Sequence, residues 1–186
     1  MRSVPRSFCR GRMATAAVLV TAALMAIQSY AGAAPVSYLD AAQVAQLRTL
    51  PIPILLPRRL PAGYRLAHFK AKRYPFAGPG ASAGGTYELD FVGAAQRDIL
   101  LIVSDGGLGD PPDNNDASRR SFEAPLPGFG HVRFDPMKYT AGPYWYGERV
   151  RVDRPQGTHA VFLTITGSAD PAALRAFCAS MERLPK

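Results

Sequence analysis

The chain has 186 residues, 47% of them hydrophobic and 19% charged, with 17 Gly and 17 Pro. Apolar content of this order excludes an intrinsically disordered chain, and the length suits one ordinary domain rather than a multidomain enzyme. A formal net charge of +8 is too scattered along the chain to be a nucleic-acid footprint.

Arg2, Arg6, Arg10 and Arg12 form a positive head, followed by an apolar run from Met13 to Ile27 and small residues from Ser29 to Ala34. This order predicts a secretory signal peptide over residues 1–33, with cleavage after Ala33 favoured over Ala31. Cutting after Ala34 would place Pro35 at the scissile bond, where the fixed ring and missing N–H suit a peptidase poorly. The apolar run is shorter than a membrane-spanning helix needs. Contact with the membrane is therefore expected only during export, and the mature protein is expected to be periplasmic or secreted. Removing the leader leaves 18 basic residues against 14 acidic ones, a net +4. It also removes Cys9, so Cys178 remains alone and no internal disulfide is available to the mature domain.

Ser37 and Asp40 are spaced as an approximate capping pair, predicting a short helix to about Thr49. Pro51, Pro53, Pro57 and Pro61 then enforce an extended stretch, in which Ile52, Ile54, Leu55 and Leu56 are placed to pin it to the core. These features make residues 34–56 a helix and Pro-rich lead-in to a single domain over 57–186. Strands are expected at Tyr64–Lys72, Thr86–Val92, Ile99–Val103, Ser121–Ala124, His131–Phe134, Tyr144–Val152 and His159–Thr166. In the first, Leu66 and Phe69 fall on opposite faces of a regular strand. Ile99–Val103 reads as a central strand buried on both sides. Strict alternation in Tyr144–Val152 puts Tyr144, Tyr146, Val150 and Val152 inward, with Trp145, Arg149 and Arg151 outward. A closing helix begins at Asp170 and Pro171, and Leu174, Phe177, Met181 and Leu184 form its apolar stripe. The expected fold is α+β: a single curled, mainly antiparallel sheet of six to seven strands between an N-terminal and a C-terminal helix.

Two blocks carry a resemblance. Pro57-Arg58-Arg59-Leu60-Pro61-Ala62-Gly63-Tyr64-Arg65-Leu66 and the closing segment from Ser168-Ala169-Asp170-Pro171 to Ser180-Met181-Glu182-Arg183-Leu184 resemble the ends of the DUF4367 type of uncharacterised bacterial envelope domain. Members often place a tryptophan in the penultimate strand region, whereas Trp145 here opens its strand. The resemblance implies an exported, non-catalytic domain of unknown partner, and it supplies no functional residue to carry over.

Few residues point to chemistry. Gly80-Ala81-Ser82-Ala83-Gly84 matches the nucleophile-elbow string, and Ser82 with Asp135 or Asp153 and His159 has the chain order of a triad. A flexible connection before a strand explains the same glycines. Asp105, Asp110, Asp113 and Asp116 with Asn114 and Asn115 are oxygen ligands of a type that suits Ca²⁺, but without EF-hand spacing they read as a solvated turn. His68, His131 and His159 sit on separate strands without metal-ligand spacing, and Cys178 lies near an apolar helix stripe as an inert thiol. No cofactor is expected. The most suggestive grouping is Trp145, Arg149, Arg151 and Arg133 on one outward face, able to hold an anionic glycan or a lipid headgroup by stacking and charge. The functional expectation is a non-enzymatic accessory or interaction domain whose partner is an envelope protein, a lipid or a glycan, not a nucleic acid. The alternative is a carrier or sensor of a hydrophobic or anionic lipid-like ligand.

Overall fold

The computed structural model describes residues 36–75, 83–106, 115–138, 142–153 and 160–185. The signal peptide expected over residues 1–33 therefore lies outside the described residues, while Val36–Lys186 forms one compact unit that includes the Pro-rich lead-in.

The first helix, α1 (Ala41–Arg48), starts three residues later than the Ser37 reading placed it. Asp40 is the N-cap: its side chain accepts the Gln43 N–H while the Gln43 side chain accepts the Asp40 N–H, a complete capping box. Only Leu47 of this helix is buried, so α1 lies on the surface, held by Leu47 and by the Gln46 amide, which donates to Ala71 O at 3.1 Å. The chain then runs extended through Leu50, Ile52 and Ile54, all 2% exposed or less, into the short strand β1 (Leu55–Pro57). Prolines that forbid a helix leave these apolar side chains no partner except the core.

Strands β2 (Arg65–Pro75), β3 (Ala83–Val92), β4 (Asp98–Asp105), β5 (Phe122–Leu126), β6 (Gly130–Met137), β7 (Tyr144–Gly147), β8 (Val150–Arg151) and β9 (Val161–Gly167) build one antiparallel sheet. Its order is β2-β3-β4-β9-β7-β6-β5, with β8 also pairing with β9. The sheet therefore has eight strands rather than six or seven, because the expected Tyr144–Val152 strand is broken into β7 and β8. The class is α+β, as expected.

A bulge between Leu66 and His68 resolves the parity conflict in β2. Leu66 pairs with Phe91 and Phe69 with Leu89, so both reach the core face. On that face Tyr87, Leu89 and Phe91 line up with Ile99, Leu101 and Val103, and these with Leu163 and Ile165. Helix α2 (Pro171–Ala179), α1 and β1 cover this side, and Phe177 packs edge-on against Phe91. Tyr87 is fully buried, and its hydroxyl donates to Leu55 O at 2.8 Å and accepts from Leu55 N at 2.7 Å. That side chain ties the Pro-rich segment to the sheet.

The closing helix is shorter than its apolar stripe suggests. Asp170 caps it and Pro171 occupies its first turn, but Ser180 ends it and Met181–Arg183 becomes a strand, β10, paired with β1. The Ser180 hydroxyl bonds Arg59 O, and Ser180 O accepts from Arg58 N. The backbone of Leu55–Pro57 competes successfully for the last residues, and Met181 stays buried as a strand residue. The two sequence blocks that carry the resemblance are thus joined to each other in space. Between them, Gly63 takes φ +80 in the turn closed by Tyr64 N to Pro61 O, a conformation that suits glycine.

Candidate functional site

The sheet has a second face, on which the described helices do not pack. β4 illustrates it: Ile99, Leu101 and Val103 are buried beneath the helices, while Leu100 and Ile102 are only half-buried on the other side. The strand is central but not buried on both faces. Cross-strand register assigns a row of Asp90, Leu100, Thr166, Tyr146 and Asp135 to this open face, with Glu88, Ile102 and Thr164 beside it. Phe162 lies one step further, between Ser104 and Arg151. Thr164 is 3% exposed, and its hydroxyl has no hydrogen-bond partner among the described residues.

Arg133, Arg149 and Arg151 share this face, as the sequence reading placed them. Arg133 pairs with Asp135 at 3.1 Å and Arg151 with Asp153 at 2.9 Å, while the Arg149 guanidinium stacks on the Phe162 ring at 3.6 Å from its centroid. Arg133, Asp135, Met137, Tyr146, Glu148 and Arg149 border a groove of about 390 Å³. Two guanidinium groups and two carboxylates balance its formal charge.

Trp145 does not belong to this group. It is 4% exposed on the core face, edge-on to Phe122 and covered by the Arg119 guanidinium at 4.2 Å. The inward and outward sets of β7 are inverted relative to strict alternation, so Tyr144 and Tyr146 take the open face. The cause is Gly147: a Cβ there would stand 2.5 Å from Ile165 O, so β7 approaches β9 too closely for any side chain. Past Gly147 the chain leaves the ladder at Glu148–Arg149 and re-enters as β8, with its parity reset so that Val150 pairs with Leu163 and Val152 is buried. A tryptophan's large apolar area, together with a glycine two residues later, is the signal that identifies the inward face here.

A second groove, of about 510 Å³, opens at the β3–β4 end. It is lined by the connection Ala95–Asp98, by Pro143 and Tyr144, and by Ser168. Asp98 Oδ1 accepts the Ser168 N–H at 3.0 Å and the Ser168 hydroxyl, which in turn accepts from Asp98 N. Arg97 pairs with Asp170 at 3.3 Å. Burial, and secondarily the charge of Asp98, push the Asp90 carboxyl above its ordinary range.

The remaining candidates do not converge. Ser82 lies outside the described residues, and Ala83 directly after it begins β3, where a nucleophile elbow needs a helix. Asp135 accepts the Ser121 hydroxyl at 2.5 Å and pairs with Arg133; His159 lies outside the described residues. Of the acidic loop, Asp110, Asp113 and Asn114 are likewise outside, and Asp116 accepts the Ser118 N–H and hydroxyl. His68 and His131 are exposed, and among the described residues no group of three His, Cys, Asp or Glu side chains is close enough to hold a metal. Cys178 is fully buried, and burial pushes its thiol up to about 12, which suits a packing role. Among the described residues no helix is long and apolar enough to cross a membrane. Comparison with family models, curated proteins and solved structures finds no significant match to this chain.

Proposed function

We propose that the chain is an exported, non-enzymatic interaction domain of the cell envelope that binds through the open face of its sheet. The observation that carries this reading is the half-buried set Leu100, Ile102, Phe162 and Tyr146, on the side away from the helices and rimmed by Arg133, Asp135, Glu148 and Arg149. An apolar centre with a charged rim is the composition of a recognition surface, where aromatic and Arg side chains supply contact area and orientation. On the rim the Asp135 carboxylate is already committed to the Arg133 guanidinium and the Ser121 hydroxyl, which supports interaction over catalysis there. The charged, apolar and small-residue order of residues 1–33, read as a leader, and the resemblance to DUF4367-type domains support the envelope location.

The alternative is a carrier of a lipid-like ligand, which would use an apolar cavity between sheet and helices. Tyr87, Phe91, Phe177, Leu47 and Ile54 occupy that space, each 2% exposed or less, which favours the interaction reading. Native mass spectrometry of the protein recovered from envelope fractions separates the two. Bare polypeptide is expected, and stoichiometric co-purified lipid would instead establish the carrier.

A further inference from the structure

We infer that the groove at the β3–β4 end is a binding site for a neutral sugar unit, separate from the Arg133–Arg149 groove. Its wall is the connection between the two strands, where Ala95 and Gln96 have φ 56 and 55 and Arg97 N bonds Ala94 O at 3.3 Å. Two consecutive left-handed residues at the centre of a tight turn call for Asn or Gly, and this chain uses Ala and Gln. Backbone strain of this kind persists where it holds a side chain in a required place. Here the strained residue with functional groups is Gln96, and it lines the groove.

The lining chemistry specifies the ligand class. Gln96 is exposed and offers an amide donor and acceptor at the groove. Asp98 is fixed through Oδ1 by Ser168, which leaves Oδ2 as an acceptor, and Arg97 is steadied by Asp170 while keeping further N–H donors. Pro143 and the Tyr144 ring give the opposite wall an apolar surface. Neighbouring donors and acceptors suit vicinal hydroxyls, and a ring surface suits the C–H face of a pyranose. Arg97 and Asp98 balance each other's charge at the groove, which suits a neutral ligand. The cavity of about 510 Å³ is large enough for a sugar unit.

The test is a ¹H–¹⁵N titration of protein expressed from the full chain with maltose, cellobiose and N,N′-diacetylchitobiose, each to about 20 mM, a range that detects millimolar affinity. Saturable shifts for at least one disaccharide, confined to residues 95–98, 144 and 168, are expected. Gln96→Gly should relieve the turn and raise Tm by about 2–4 °C, yet weaken binding at least roughly fivefold. Gln96→Asn, which keeps an amide and tolerates the left-handed region, should retain part of the affinity. No shift with any of the three sugars overturns the site, and so does binding unchanged in Gln96→Gly. Shifts confined to Tyr146, Arg149 and Phe162 also overturn it, while leaving the wider open-face reading in place.

Discussion

Replacing Tyr87 with Phe removes one oxygen atom and tests how the Pro-rich segment is held. The Tyr87 hydroxyl is both donor and acceptor to the Leu55 backbone, at 2.8 and 2.7 Å, and both residues have zero exposure. The ring remains in Tyr87→Phe, so the packing is retained and the change isolates the two hydrogen bonds. They leave behind a buried N–H and a buried C=O, each of which costs about 1–3 kcal/mol when unpaired. The expected loss is about 2–5 kcal/mol, or a fall in Tm of roughly 5–15 °C for a domain of this size. Urea unfolding followed by fluorescence, with the slope unchanged, measures it. Tyr38→Phe serves as the comparison: its hydroxyl donates only to Pro57 O, at 2.8 Å and part-buried, so about 1 kcal/mol is expected. A Tyr87→Phe loss below about 0.5 kcal/mol, or one no larger than that of Tyr38→Phe, would refute the reasoning.

Other expectations follow from the same contacts. Gly147→Ala would press a methyl against Ile165 O at 2.5 Å, a backbone atom that cannot swing away, and should cost about 3 kcal/mol or more in urea unfolding. Gly93→Ala meets the half-buried Tyr64 ring at 2.8 Å, which can yield, so a loss of about 1–2 kcal/mol is expected. The Cys178 thiol is raised by burial from 9.0 to about 12, so the folded state favours the neutral form. Its contribution is intact below pH 9 and is lost as pH rises from there toward 12, by up to about 1.4 kcal/mol per pH unit. Melting temperatures taken from pH 7 to 10 should fall less steeply at the alkaline end in Cys178→Ala than in the wild type.

Local rules carried the sequence reading far where one principle acted alone. Alternation in Thr86–Val92 and His131–Phe134 placed Tyr87, Leu89, Phe91, Val132 and Phe134 inward, and the prolines placed Ile52 to Leu56 on the core. The errors lie where tertiary contacts overrode the local pattern. Leu66 and Phe69 needed a bulge, which depends on the partner strand rather than on β2 itself. The Leu174–Leu184 stripe reads as one helix, yet β1 claims Met181–Arg183 as a strand, and that pairing spans more than a hundred residues of chain. For the site, the three arginines were visible as outward residues. A single parity through Tyr144–Val152 fails for Trp145, Tyr144 and Tyr146 because the chain leaves the ladder after Gly147 and re-enters with the opposite parity. The second groove was not visible at all, since nothing in Gly93–Asp98 announces two left-handed residues where Asn or Gly would be expected.

The export and envelope role is tested most directly by the intact mass of the protein recovered from cells that express the full chain, fraction by fraction. A periplasmic or secreted species with the mass of residues 34–186 is the result this account predicts. The uncut chain of 186 residues, recovered soluble from the cytoplasm, would contradict it.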